Sequence, residues 1–355
     1  MEKRINKLHA KMKEKEIEAF FVTSKKNVRY LTGFTGTFGR LLITKNDNIF
    51  ITDFRYIDQA EAQTEACRIE VINSNIVEGI GELLKKSGVR ELAFESDHTT
   101  YSEFQKYREK FPVDRMIPQK NMVEELRVIK EASEVELIKK AVEISDRSFS
   151  HILNFIKPGI TEKEVSLELE FSMKKGGGEA NAFDFIVASG KRGAMPHGVA
   201  SDKKLEVGDL ITMDFGTVYR GYHSDITRTI ALGEPDKKLK EIYDLVLTAQ
   251  KKVIKEIKAG MTAVEADSIA RDFIKNSGYG DNFGHGLGHG VGLQIHEAPK
   301  VSYSSDDILK EGMIVTDEPG IYVSGLGGVR IEDDLLIEEN GCQVLNSAPK
   351  ELIIL

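Results

Sequence analysis

Residues 210–231 read LITMDFGTVYRGYHSDITRTIA. Apolar and polar positions alternate over 210–215 with the period of a β-strand, which puts Thr212 and Asp214 on one face. Gly216 to Gly221 reads as a turn. Ser224 to Ile230 then reads as the returning strand, with Asp225, Thr227 and Thr229 on one face and Ile226, Arg228 and Ile230 on the other. Such a hairpin can bring Asp214 and Asp225 to a common face. Paired carboxylates favour hard divalent cations. Taken alone, a surface hairpin with acids near its turn explains the pattern at least as well.

Three further frames lie downstream. Met313 to Glu318 alternates again, so Ile314, Thr316 and Glu318 share a face before Pro319-Gly320 forces a turn. Asp317 points the other way, as a supporting or surface group. In Val329-Arg330-Ile331-Glu332-Asp333-Asp334, residues Arg330, Glu332 and Asp334 share a face. Arg330 could orient Glu332 or offset excess negative charge, and an acidic cluster at a solvated strand end is the bland reading. Residues 283–292, FGHGLGHGVG, hold two histidines four apart, a spacing that chelates zinc on a helix. Their alternating glycines rule out a regular helix, so His285 and His289 are not paired as joint ligands on spacing. Phosphate binding is the rival for a glycine-rich loop, but the lysine and hydroxyl of a P-loop are missing. His197 and His296 sit outside these frames, where a lone histidine is more often a satisfied polar residue.

The remainder of the chain bounds the answer. Its 355 residues suffice for two domains, and 41% apolar with 30% charged residues is ordinary for a soluble protein. No apolar run approaches a membrane span, and the charged N-terminus is no signal peptide. A cytoplasmic, membrane-free protein is expected. A formal charge of −8 without an arginine-rich block argues against nucleic acid. Cys67 and Cys342 lie far apart and read as buried thiols.

Residues 1–120 alternate helix and strand signals and read as an α/β domain. Helices are expected at 2–16, 76–86 and 101–111, and a strand pair at 40–44 and 48–52. The proline-containing stretch 112–122 marks a boundary, and 125–355 forms the second domain. There a long helix over 124–155 ends at Lys157-Pro158-Gly159. The sequence KPGITE at 157–162 is echoed by KAGMTA at 258–263, each between two helices and each followed by a His-Gly segment. That suggests two related halves.

Together, the segments ASGKRGAMPHG, LITMDFGTVYRGYHSDITRTIALG, FGHGLGHGVGLQIHEAP, EGMIVTDEPGIYV and GVRIEDDLLI resemble the pita-bread metallopeptidases: methionine aminopeptidase, aminopeptidase P and prolidase. The first 120 residues resemble the N-terminal domain of the creatinase, prolidase and aminopeptidase P branch. The resemblance implies a creatinase-like α/β domain followed by an α+β pita-bread domain with a pseudo-twofold internal repeat. It implies two divalent metal ions, manganese foremost, with cobalt, zinc and iron also suited to the site. Asp214 would bind one ion through both oxygens, Asp225 and Glu332 would bridge, and His289 and Glu318 would complete the second. Glu318 would also shuttle a proton, and His296 would stabilise the oxyanion. His197 and His285 would line the substrate site, with Arg330 holding Glu332. The implied substrate is a di- or oligopeptide with proline after the cleaved bond, and the implied assembly is a homodimer. Between Xaa-Pro dipeptidase (prolidase) and Xaa-Pro aminopeptidase, the small N-terminal domain leans to the dipeptidase. A non-catalytic binding protein, or a metal-free C–N hydrolase like creatinase, would be expected to lack part of the ligand set. Here all five positions are filled.

Overall fold

The computed structural model describes residues 1–355, which form two compact units, Met1–Arg127 and Val128–Leu355. No helix is long and apolar enough to cross a membrane.

The first unit is built on a six-stranded mixed sheet. The strands Ala19–Val22, Arg40–Thr44 and Asn48–Thr52 form its antiparallel centre, with Arg68–Val71 on one edge and Glu91–Glu95 and Arg115–Gln119 on the other. The strand pair at 40–44 and 48–52 forms as the alternation and turn chemistry indicate. Arg115–Gln119 is a strand where the sequence suggested only a proline-containing linker. Pro118 is tolerated there because this strand lies at the sheet edge, where a missing N–H costs no ladder bond.

The second unit has two cores. Ile211, Met213, Phe215, Ile226 and Ile230 pack with Ile144, Phe149, Val165 and Leu169 of the helices Ala132–Ile152 and Glu162–Lys175. Val315, Leu335, Ile337 and Val329 pack with Ile242, Val246, Ala266 and Ala270 of the helices Lys237–Glu256 and Ala263–Ile274. The strand Leu210–Phe215 thus buries its odd-numbered side chains under the first helix pair. Its even-numbered Thr212 and Asp214 face the other way.

The echo between KPGITE and KAGMTA has a structural counterpart. Thr161 and Thr262 both close capping boxes, with Glu164 and Glu265. The Gly159 and Gly260 amides donate to the carbonyls of Leu205 and Leu309. Both glycines have positive φ, +93° and +88°, which favours glycine at each helix junction. Asp214 follows Leu205 by the same number of residues as Glu318 follows Leu309. Asp225 immediately precedes the strand Ile226–Ala231, and Glu332 immediately precedes Asp333–Glu338.

Besides the edge strand at Arg115–Gln119, three readings of the sequence need correction. The stretch 216–221 is not simply a turn: Thr217–Tyr219 is a strand that pairs with Tyr222–His223 and with Ala180–Asn181 in a small separate sheet. The long helix expected over 124–155 is broken. Glu124–Arg127 is a short α-helix of its own, 128–131 is non-helical, and the main helix spans Ala132–Ile152. The Lys130 amide leaves the helical ladder to donate to the Gly312 carbonyl at 2.8 Å, and Glu131 with Glu134 closes a capping box on the next helix. The stretch 329–334 is also not one strand. Gly327–Arg330 pairs with Gly320–Val323, and Asp333–Glu338 pairs with Ile314–Asp317, so Ile331 and Glu332 lie at the junction.

Candidate metal centre

The antiparallel register sets Thr227 opposite Asp214 and Thr229 opposite Thr212. The two threonine hydroxyls at 212 and 229 lie 3.0 Å apart, so the polar face expected of this hairpin forms. Asp225 stands just before the strand, beside Asp214 and on the same cavity.

Glycine explains how His289 reaches that face. A Cβ on Gly288 would lie 2.1 Å from the Thr316 carbonyl oxygen, and one on Gly290 would lie 2.2 Å from that of Ala298. The short strand Gly288–Gly290 is therefore wedged between two backbones, where only glycine fits. This close approach accounts for glycines that the sequence left open to a phosphate-cradle reading. His289 Nδ1 faces its neighbour's carbonyl, Gly290 O, at 3.1 Å, so the Nδ1–H tautomer donates there. Its Nε2 then lies 3.6 Å from both Asp225 Oδ2 and Glu318 Oε1. One ligand atom from each of Asp225, His289 and Glu332 fits within 4.8 Å of the others. Glu318 Oε1 accepts from the Thr316 hydroxyl at 3.1 Å, and Glu332 Oε2 from the Thr227 hydroxyl at 2.5 Å.

Asp214, Asp225, His289, Glu318 and Glu332 all line one cavity of about 650 Å³, together with His197, His285, His296 and Arg330. Every site residue singled out from the sequence therefore reaches this cavity. His289 and His296 rings meet edge-on with centroids 4.3 Å apart. His285 donates from Nδ1 to the Gly286 carbonyl at 2.8 Å, leaving Nε2 to accept from the Tyr322 hydroxyl at 2.9 Å.

Arg330 departs from its expected role. Its Nη2 donates to Asp214 Oδ2 at 2.6 Å, Nη1 to the Tyr322 hydroxyl at 2.8 Å and the Pro196 carbonyl at 3.2 Å, and Nε to Thr227 Oγ1 at 3.1 Å. It orients Asp214 directly and Glu332 only through Thr227. The break in the strand after Arg330 is the reason: the two residues do not project side by side from one regular strand. For Asp317 only the surface alternative is excluded. Alternation turns it away from Glu318, but that face lies on the helix-covered side with Val315, so Asp317 is wholly buried rather than a surface group. Burial, then the Asp333 charge, push its carboxyl well above the usual range.

Tyr322 and Thr227 are functional neighbours that the sequence reading did not single out. Both lay inside quoted frames, but only the hairpin Gly320–Val323 with Gly327–Arg330 brings Tyr322 to Arg330.

Burial is the largest influence on all four acids. It raises Asp214, against the opposing Arg330 charge, and brings Glu318 to about 7. Asp225 and Glu332 rise well above the usual carboxylate range through burial, reinforced by their acidic neighbours. Burial also lowers His289 to about 4, leaving a neutral imidazole with its Nε2 lone pair toward the acids. Four carboxylates crowded around a single guanidinium lack compensating charge. Asp214 Oδ1 and Asp225 Oδ1 are buried with no hydrogen-bond partner. Orphaned buried acceptors beside a neutral imidazole are a donor set suited to divalent cations. The residues present therefore fit metal ions.

Comparison with known proteins agrees. Residues 136–339 match the model of metallopeptidase family M24, and residues 4–129 match the creatinase/prolidase N-terminal domain. The chain belongs to metallopeptidase family M24. It is 43% identical to an Xaa-Pro dipeptidase of Pyrococcus furiosus, over 99% of this chain and 100% of that protein. The solved structure of an Xaa-Pro dipeptidase from Bacillus anthracis superposes with a TM-score of 0.98 at 49% identity, covering 99% of each chain. An X-Pro aminopeptidase from Thermotoga maritima superposes with a TM-score of 0.92 at 39% identity, covering 98% of this chain and 100% of that one. This M24 enzyme thus has the creatinase-type N-terminal domain and the pita-bread catalytic domain, and it is a divalent-metal-dependent peptidase.

Proposed function

We propose that this enzyme hydrolyses the peptide bond preceding proline, with dipeptides as its preferred substrates and Mn²⁺ as its working metal. The observation that carries the reading is the convergence of Asp214, Asp225, His289, Glu318 and Glu332 on one cavity, with carboxylate oxygens left unpartnered. These five residues would hold two ions. When bound, the ions supply Lewis-acid polarisation of the scissile carbonyl and a readily ionised water at neutral pH. Oxygen-rich ligation suits manganese.

The chain's own groups account for the remaining chemistry. Glu318, whose proton affinity is already raised by burial, is suited to taking a proton from the attacking water and handing it to the leaving proline nitrogen. His296 and His197 line the cavity as donors for the substrate carbonyl, and His285 lines it too, its orientation fixed by Tyr322. Arg330 holds Asp214 and Tyr322 in register, and either Asp214 oxygen retains lone pairs for an ion.

The X-Pro amide has no N–H, so recognition falls to shape and to charges at the ends. Phe183, Ile186, Pro196 and Val199 supply an apolar wall for the ring. Lys300 lines the same cavity and offers a positive charge to the carboxylate that a dipeptide carries on its proline. This charge favours the dipeptidase over the aminopeptidase, whose longer substrates place an amide there. The names of the P. furiosus and B. anthracis relatives agree with that preference.

The test compares Leu-Pro, Leu-Pro-Pro and Leu-Ala as substrates of the Mn²⁺-loaded enzyme. Fast cleavage of Leu-Pro alone is expected. Cleavage of Leu-Pro-Pro but not Leu-Pro would transfer the assignment to an aminopeptidase, and preference for Leu-Ala would remove proline from it.

A further inference from the structure

Behind the proposed ligands lies a second set of polar groups with no part in the chemistry above. Arg228 is the largest fully buried side chain, and each of its five N–H donors has an acceptor. Nε donates to the Pro349 carbonyl at 3.0 Å. Nη1 donates to the carbonyls of Thr227, at 3.0 Å, and Glu332. Nη2 donates to the Ala348 carbonyl at 2.8 Å and to Asp333 Oδ1 at 2.7 Å. The guanidinium therefore clamps the backbone of Glu332 at the strand junction. Asp333 Oδ2 is taken in turn by Gln250 at 2.7 Å and Lys350 at 2.5 Å.

The next residue faces the opposite way. Asp334 Oδ2 accepts the Asp225 backbone N–H at 3.0 Å, and the Asp334 N–H donates to Asn346 Oδ1 at 2.7 Å. Asn346–Lys350 is thus tied to both sides of this strand start. Ser347 adds bonds from its amide and hydroxyl to Asp146 Oδ2, and Tyr243 donates to the Lys350 carbonyl. A fully buried carboxylate spent on one backbone amide costs desolvation that ordinary packing would not require. Here the amide belongs to one expected bridging ligand, and the Arg228 clamp holds the other.

We propose that Arg228 and Asp334 are positioning residues, which with the segment Asn346–Lys350 fix Glu332 and Asp225 in the geometry that two metal ions require. This rests on the metal-centre reading above. Groups that orient metal ligands through hydrogen bonds commonly change metal affinity when removed, without touching the metal.

The experiment titrates metal-free protein with Mn²⁺ by calorimetry and records the melting temperature of the metal-free form beside it. Asp334→Ala is expected to weaken Mn²⁺ binding by about 10- to 100-fold, while Asp334→Asn, which keeps an oxygen for the Asp225 N–H, stays within about threefold of the parent. Asn346→Ala is expected to weaken binding several-fold, with the metal-free melting temperature lowered by a few degrees because the buried Asp334 N–H loses its acceptor. The electron paramagnetic resonance signal of the coupled Mn²⁺ pair should alter in Asp334→Ala and persist in Asp334→Asn. Parent-like affinity in Asp334→Ala would overturn the proposal. So would an equal loss in Asp334→Asn, or a drop to one bound ion, which would make Asp334 a ligand. Should Asp334→Ala fail to fold, Asn346→Ala decides, and unchanged binding there overturns it. Absence of Mn²⁺ binding by the parent protein would instead refute the metal-centre reading itself.

Discussion

Two clusters in this molecule contain a histidine and two carboxylates close enough to share an ion: Glu95, His98 and Glu124 in the first unit, and Asp225, His289 and Glu332 in the second. Their composition is nearly the same, but their surroundings differ. Glu95 Oε2 accepts the amides of Thr23 and Ser24 at 2.6 and 2.7 Å, and its Oε1 accepts from Asn27 at 2.6 Å. Glu124 Oε1 accepts from Asn27 at 2.6 Å and lies 2.8 Å from His98 Nε2. Burial opposes ionisation of Glu124, yet the bonds from Asn27 and His98 hold its carboxyl below the usual range. In the second cluster the carboxyls of Asp225 and Glu332 are pushed far up, and an Asp225 oxygen has no partner. The first cluster is a completed hydrogen-bond network joining strand ends to a helix start. The second is an incomplete one that cations would complete. Proximity of ligand-type residues does not make a metal site. What separates the second cluster is that its unpartnered carboxylate oxygens line one cavity beside a neutral imidazole.

The sharpest way to break this contrast is to remove a carboxylate from each cluster. Asp225→Asn or Glu332→Gln is expected to reduce Xaa-Pro hydrolysis to the level of chelator-treated enzyme. That fall should exceed the roughly 10²–10⁴-fold that loss of a lone acid–base group costs. Retention of most activity in steady-state assays would show that the second cluster is no more a metal site than the first.

A smaller effect is expected from the charge proposed to read the substrate's end. Lys300→Met should lower kcat/KM for Leu-Pro by about 10- to 100-fold, the range set by one charge-assisted hydrogen bond of about 1.5–3 kcal/mol. The loss should appear mainly in KM. An unchanged KM for the dipeptide would detach Lys300 from recognition.

Proton linkage distinguishes the clusters next. In the metal-free protein Glu318 titrates at about 7 against 4.5 in the reference state, so the folded form holds its proton more tightly. Its contribution to stability is present below 4.5 and is lost as pH rises through about 7. His289, lowered from 6.5 to about 4, works in the opposite sense, and its contribution is lost as pH falls through about 4. Metal ions replace the protons on the carboxyls, while His289 is already neutral above that range. Mn²⁺ binding should therefore release protons at about pH 6 and fewer at about pH 8, measured calorimetrically in buffers of different ionisation enthalpy. The gain in melting temperature on adding Mn²⁺ should grow over the same range. Proton release independent of pH would contradict the buried, protonated acids.

The smallest effect is expected in the first unit. Glu124→Gln leaves the His98 and Asn27 partners in place and should cost on the order of 1 kcal/mol in denaturant unfolding. Its kcat/KM should stay within about twofold of the parent, as expected for substitutions that break no functional contact. A loss of bound metal in this variant would erase the distinction between the two clusters.

Much of this was legible in the sequence. Alternation over 210–215 and 313–318 set Asp214 and Glu318 on their faces, and the echo of KPGITE in KAGMTA marked the two halves. The resemblance then picked out Glu332 beside Asp334, where periodicity alone did not choose. What escaped depended on contacts remote in sequence. Arg330 was expected to serve Glu332, but a strand break sends it to Asp214. Alternation gives the direction of Asp317 without saying what covers that face, so it leaves a supporting and a surface role open. The Arg115–Gln119 strand was hidden by Pro118, since only the sheet order shows that it lies at an edge. Thr227, Tyr322 and Arg228 were in plain view in the quoted frames, but Thr227 and Arg228 find Glu332 about a hundred residues away, and Tyr322 finds Arg330 across a hairpin and His285 in a remote loop, beyond the reach of local pattern.

The most direct test of the central claim is the rate of Leu-Pro hydrolysis by metal-stripped enzyme as Mn²⁺ is added back. The account predicts no activity without metal and a rise that reaches its plateau at two bound ions per chain. The same rate in chelator and in saturating Mn²⁺ would contradict it.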